Sequence, residues 1–273
     1  MILDVHHVGI AVRSLDRALA LFRDALRLEV VREGDVPARG VRAAVLSVGR
    51  SYLELVEPTA EDSPFAVYIE EHGEGLHHLA LSSDAIDGQV AHLRRKGVPM
   101  ADEHPRDGFT GRLSFLRPEA FDGAVVEVVE PDEGLRGHGP GASTVTRIDH
   151  VVLRVPGVTA ASERMSDWFG VPTKRTFERG TQAFAFLRPG DVIVEVIGPI
   201  QGGAPGSGKI AGLAFEVKCI EGVAESLKAL DYPVGDPHPA LQGGRIVSVH
   251  ASGACGVPVA FIDFTGSPGP PGR

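Results

Sequence analysis

Two histidines and two glutamates have the types and spacing to do chemistry together. His7 opens the β-rich run His7-Val8-Gly9-Ile10-Ala11-Val12, and His78 stands near the start of Leu76-His77-His78-Leu79-Ala80-Leu81. Glu54 and Glu127 lie in matching aliphatic contexts, Tyr52-Leu53-Glu54-Leu55-Val56-Glu57-Pro58 and Val125-Val126-Glu127-Val128-Val129-Glu130-Pro131. Glu54 follows His7 by 47 residues and Glu127 follows His78 by 49, as a duplicated unit requires. A carboxylate on an apolar face is costly unless it is paired or bound to a cation. Two such carboxylates facing each other repel, and a divalent ion relieves both costs. Two neutral imidazoles complete four ligands and leave two adjacent positions of an octahedral ion for a substrate with two neighbouring oxygens.

Each residue alone has a plainer reading. A histidine at a strand start is ordinarily a hydrogen-bonding side chain, and Glu57 and Glu130 allow either strand face to be read as polar. The matched set of four, repeated in order, is what points to a metal. His6 and His77 alternate to the opposite face and read as structural. His72, His92, His104 and His138 follow no pattern. The stretch Gly202-Gly203-Ala204-Pro205-Gly206-Ser207-Gly208-Lys209 resembles a phosphate loop only superficially, because Ile210 follows Lys209 where Ser or Thr is needed.

The elements that position these residues repeat. His150 opens a second run, His150-Val151-Val152-Leu153-Arg154-Val155, like the one at His7. A helix is expected after each: SLDRALALFRDAL, with Ser14 as N-cap and Leu15, Ala18, Leu19, Phe22 and Leu26 on one face, and VTAASERMSDWF ahead of Gly170. Strands follow at Val41–Gly49 and Ser51–Pro58, and at Gln182–Gly190 and Val192–Pro199. A further unit starts at Leu76–Ser83 and at Gly212–Val217, with helices ending near Arg95 and Leu230. RLSFLRP and AVVEVVEP close the first half, and RIVSVHA and VPVAFIDF the second. The reading is an α+β protein of four βαβββ modules, at 1–60, 74–131, 145–200 and 208–264, forming two paired-module half-barrels. A metal-bearing domain at 1–131, a glycine-rich linker at 132–144, a second domain at 145–264 and a disordered tail at 265–273 are expected.

Composition excludes several classes. At 273 residues with 43% apolar and 23% charged residues the chain is ordinary globular material. A net charge of −9 argues against a nucleic-acid partner, and no apolar run reaches the ~20 residues of a membrane span. The N-terminus does not read as a signal peptide, and Cys219 and Cys255 form no metal motif. A soluble, cytoplasmic monomer or homodimer with free, mostly buried thiols is expected.

At the metal-spaced residues the sequence is similar to a known family. HHVGIAVRSLDRALALFRDALRLEVV, RGVRAAVLSVGRSYLELVEP, GEGLHHLALSSDAIDGQVAHLRRKGVPM and PRDGFTGRLSFLRPEAFDGAVVEVVEP resemble methylmalonyl-CoA epimerases. These belong to the vicinal oxygen chelate superfamily of glyoxalases, bleomycin resistance proteins and extradiol dioxygenases. The resemblance implies that His7, Glu54, His78 and Glu127 hold one divalent ion, cobalt, nickel, manganese, zinc or iron. It implies inversion of the α-carbon of a 2-carboxyacyl-CoA through an enolate, with Glu127 and Glu54 as the catalytic carboxylates. Some epimerases carry a further Glu where Ala43 stands here, beside Arg42, and Phe109 lies in a loop that is Gly/His-rich in them. Epimerases are also about half this length. The second half keeps His150 and Glu195 but has Gly212 and Ala260 in place of the other two ligands, and reads as a degenerate copy. Arg39, Arg42, Arg94, Arg95 and Lys96 are candidates for a CoA phosphate tail. The alternatives are an extradiol-type dioxygenase or glyoxalase-like lyase, and a non-catalytic small-molecule-binding protein of the resistance type.

Overall fold

The computed structural model describes residues 1–136, 143–240 and 243–265. Residues 137–142 of the expected linker and 266–273 of the expected tail lie outside them, as does His138. The described chain is α+β and is built from four βαβββ modules. The first module is β1 (Ile2–Ala11), α1 (Leu15–Leu19), β2 (Glu29–Val36), β3 (Val41–Val48) and β4 (Ser51–Pro58). A short helix, α2 (Pro64–His72), follows it. The second module is β5 (Gly75–Ser83), α3 (Ile86–Arg95), β6 (Arg106–Asp107), β7 (Gly111–Phe115) and β8 (Val125–Pro131). The third is β9 (Val145–Arg154), α4 (Val158–Phe169), β10 (Thr173–Arg179), β11 (Gln182–Leu187) and β12 (Ile193–Pro199). The fourth is β13 (Lys209–Val217), α5 (Ile220–Ala229), β14 (His238–Pro239), β15 (Arg245–Val249) and β16 (Val259–Asp263).

Modules pair through their first strands. One sheet runs β2-β3-β4-β1-β5-β8-β7-β6 and the other β10-β11-β12-β9-β13-β16-β15-β14. The last strand of a module lies parallel to its first, as β8 does to β5 and β12 to β9. The remaining neighbours within a module are antiparallel, for example β3 with β4 and β7 with β8. The strands that carry Glu54, His7, His78 and Glu127, namely β4, β1, β5 and β8, are therefore the four central strands of the first sheet.

Helix starts are set from the strands. Glu57 at the end of β4 accepts a hydrogen bond from the Leu15 amide at 2.9 Å, and Glu130 at the end of β8 accepts from the Ile86 amide at 3.0 Å. Each carboxylate satisfies an otherwise orphaned first-turn donor and complements the helix dipole. Ser14 caps the Arg17 amide as expected from sequence. The predicted continuous helix over 14–26 is interrupted, however. After Leu19 it widens into a π-helical turn, Ala20–Ala25, closed by the Leu26 amide donating to the Leu21 carbonyl. The extra residue per turn shifts the register of Leu26, which remains buried.

By packing, the chain falls into two compact units. One comprises Met1–Gly9, His77–Arg136 and His150–Ala211. In it, Arg164 of α4 donates to the Ala120 carbonyl and pairs with Asp122 at 2.6 Å, while Phe121 packs edge-on against Trp168. The other comprises Ile10–Leu76 with the described parts of Gly137–Asp149 and Gly212–Arg273. Ser143 donates there to the Leu26 carbonyl at 2.6 Å, and Arg17 pairs with Glu74. Among the described residues no helix is long and apolar enough to cross a membrane.

Candidate metal centre

β1 and β5 lie side by side, and each presents a histidine from its middle rather than from its start, as the sequence suggested. The Nε2 atoms of His7 and His78 are 3.0 Å apart. Glu127 reaches the same point from β8, with its two oxygens 3.8 Å from His7 Nε2 and 3.7 Å from His78 Nε2. One ligand atom from each of His7, Glu54 and His78 falls within 4.8 Å of the others. The structure thus brings together the two histidines and both glutamates named from sequence.

Burial makes this set chemically unusual. His7, His78 and Glu127 are no more than 1% exposed and Glu54 is 7% exposed. Burial, and then the neighbouring His6 and His78, hold the His7 pKa well below 6.5, so its imidazole is neutral at pH 7. A neutral imidazole offers a lone pair, and two buried carboxylates call for a cation. Neighbouring ligands on an ion with bonds of ~2.1 Å stand about 3 Å apart, which is the spacing of the two Nε2 atoms. The residues present fit a divalent ion.

Two features of the site escaped sequence reasoning. A Cβ on Gly9 would overlap the imidazole ring of His78, so glycine is what lets that ring lie across β1. His6 and His77, expected to face away, instead meet the two site histidines. His6 Nδ1 is 2.7 Å from His7 Nδ1, and His77 Nδ1 is 2.9 Å from His78 Nδ1. Gly9 and the doubled histidines are visible in the sequence, but their roles depend on distances between strands. Phe115, opposite Glu127 on β7, packs edge-on against His78 at 5.4 Å.

The other candidates fall out differently. Ala43 is buried between Gly34 and Val56 and puts no carboxylate on β3. Phe109 is half-buried in the β6–β7 turn. Arg42 is engaged by Glu33 and Asp16, Lys96 by Asp167, and Arg94 by the Asp102 carbonyl. The glycine-rich loop packs on backbone rather than forming a cradle. The Gly208 amide donates to the Asp122 carbonyl at 2.7 Å, and a Cβ on Gly208 would collide with the Phe121 carbonyl. In the third module His150 pairs with Glu195 at 3.7 Å. In the fourth, Ala214 opposes Ala260 in the register by which Ala80 opposes Glu127, so Gly212 stands at the place of His78. The expectation of mostly buried thiols holds for Cys255, whereas Cys219 is exposed.

This fold and site define a class. The chain belongs to the glyoxalase/bleomycin resistance protein/dioxygenase superfamily, the vicinal oxygen chelate proteins, whose family model matches residues 6–115. An uncharacterised Bacillus subtilis protein, YqjC, is 34% identical over 46% of this chain and 90% of its own length. Human mitochondrial methylmalonyl-CoA epimerase is 30% identical over 45% of this chain and 72% of its own. Both relatives account for about half of this chain. Across nearly the whole of it, the fold is that of a mutant of Streptomyces coelicolor 4-hydroxymandelate synthase. That likeness has a TM-score of 0.70 at 18% identity, with 98% of this chain and 94% of that one covered.

Proposed function

We propose that this protein is a metal-dependent isomerase that labilises the hydrogen α to a thioester, with a methylmalonyl-CoA-like 2-carboxyacyl thioester as substrate. The observation that carries this reading is the convergence of His7, His78 and Glu127, all essentially fully buried, on one point that Glu54 also approaches. The family relationship to methylmalonyl-CoA epimerases supports it. His7, Glu54, His78 and Glu127 would hold one divalent ion, with cobalt, nickel, manganese and zinc all suited to mixed imidazole and carboxylate donors. When bound, such an ion supplies Lewis-acid stabilisation of the negative charge left on substrate oxygens by proton removal.

The chain's own residues supply the rest. Glu127 takes the α-proton and can return it, and Glu54 is the second carboxylate at the centre. Burial keeps bulk water from these groups, which strengthens every charge interaction there. Phe115 packs in a T-shaped contact with the His78 ring. With Ala43 where a further carboxylate would stand, proton removal from one face of the α-carbon outpaces full inversion.

The test is solvent exchange. Metal-loaded protein in deuterium oxide should place deuterium at the α-carbon of methylmalonyl-CoA faster than it interconverts the epimers. Glu127→Gln keeps an oxygen ligand but removes the base, and should slow exchange by roughly 10²–10⁴-fold while some metal is retained. Absence of exchange with every 2-carboxyacyl-CoA tried would overturn this reading. Iron with oxygen uptake would turn it toward a dioxygenase, and failure to hold any metal toward a binding protein.

A further inference from the structure

The two histidine pairs of the first sheet share one geometry, and it follows from the chemistry of imidazole. His7 and His78 turn their Nε2 atoms toward each other and toward Glu127. A neutral ring that offers Nε2 as a ligand must carry its proton on Nδ1. That Nδ1–H is buried and needs an acceptor. At His7 the nearby group is His6 Nδ1, 2.7 Å away, and at His78 it is His77 Nδ1, 2.9 Å away. His6 Nε2 is in turn 3.1 Å from the Leu135 carbonyl. A carbonyl only accepts, so His6 carries its proton on Nε2 and has a bare Nδ1 to receive the one from His7.

We propose that His6 and His77 are positioning residues for the metal centre, each accepting the Nδ1–H of the next histidine and so fixing the tautomer and ring orientation that aim Nε2 at the ion. The inference rests on the metal-centre reading above and adds two residues to it. The same device occurs in both modules that keep the ligand set. In the fourth module, where Gly212 stands in place of the ligand histidine, the preceding residue is Ala211, which offers no side-chain acceptor. At His6 the device extends one step further, because the Leu135 carbonyl fixes His6 itself. A merely structural pair would need no such match between hydrogen-bond direction and ligand position. Outer partners of this kind are worth about 10–100-fold in metal affinity.

The experiment measures cobalt affinity by chelator competition, with the visible cobalt spectrum recorded alongside. The proteins are wild type, His6→Leu, His6→Asn, His77→Leu and His77→Asn. The asparagine oxygen falls near the place of Nδ1 and restores an acceptor, whereas leucine fills the space without one. The leucine variants should bind about 10–100-fold more weakly with an altered spectrum, and the asparagine variants should stay within a few-fold of wild type. Unfolding of the metal-free proteins controls for packing. His77 is half-buried and carries the test if His6→Leu does not fold. Leucine variants that bind as wild type, or asparagine variants as impaired as leucine ones, would overturn the proposal. Wild-type protein that holds no cobalt would instead overturn the metal-centre reading beneath it.

Discussion

At Gly9 a single methyl group decides whether His78 can occupy its place. The ring of His78 lies where a Cβ on Gly9 would be, so Gly9→Ala should push the imidazole off its line to His7. We expect metal affinity to fall at least tenfold and stability to drop by about 1–3 kcal/mol from overpacking, measured by metal titration and denaturant unfolding. The cysteines offer an independent check. Burial pushes the Cys255 thiol above its usual pKa of 9.0, while Cys219 is exposed at the start of α5. A thiol reagent should therefore modify one site per native chain quickly, and Cys219→Ser should abolish that fast phase. Because the native Cys255 pKa is raised, the unfolded thiol ionises first as pH rises. The contribution of Cys255 to stability is thus complete below pH ~9 and is lost above it.

At the scale of the element, β4 and β8 explain a pattern that sequence alone left open. Glu54 and Glu57 are three apart on a strand, so they face opposite sides. Glu54 stands with His7 and His78, and Glu57 with the N-terminus of α1. Glu127 and Glu130 repeat the arrangement with α3. Glu57→Ala should cost about 1 kcal/mol in unfolding free energy, as loss of a helix cap does, and leave metal affinity unchanged. A parallel loss of metal would show that the two carboxylates are not separated by face. The repeated Glu-x-x-Glu-Pro run made the strands legible, but its second glutamate looked like ambiguity until the helix starts were placed. Alternation gave no help, because β4 is buried on both faces from Ser51 to Val56. The edge strands β2, β6, β10 and β14 were the hardest to place. β10 shows why, since all of its residues but half-buried Phe177 are exposed, and no apolar period marks it. The π-helical turn after α1 was hidden because a bulge of one residue keeps Leu21, Phe22 and Leu26 buried and so preserves the apolar look of a regular helix.

At the scale of the whole molecule, both halves share one fold, but the two histidines and two glutamates occur together in only one. Both sheets share one strand order, and the registers of β5 with β8 and β13 with β16 superimpose residue for residue. That identity of register places Gly212 and Ala260 at the positions of His78 and Glu127. The third module instead shows stacked Phe177 and Phe184, 4.7 Å apart, on a half-exposed sheet face. His150 and Glu195 remain there as a pair, and two ligands do not make a tight site. One divalent ion per chain, in the first half, is therefore the expected stoichiometry. The most direct measurement is the metal content of protein loaded with a divalent ion and freed of excess, for wild type, His78→Ala and His150→Ala. One equivalent per chain is predicted, abolished by His78→Ala and retained by His150→Ala. Two equivalents of similar affinity, or loss of the metal on His150→Ala with retention on His78→Ala, would contradict it.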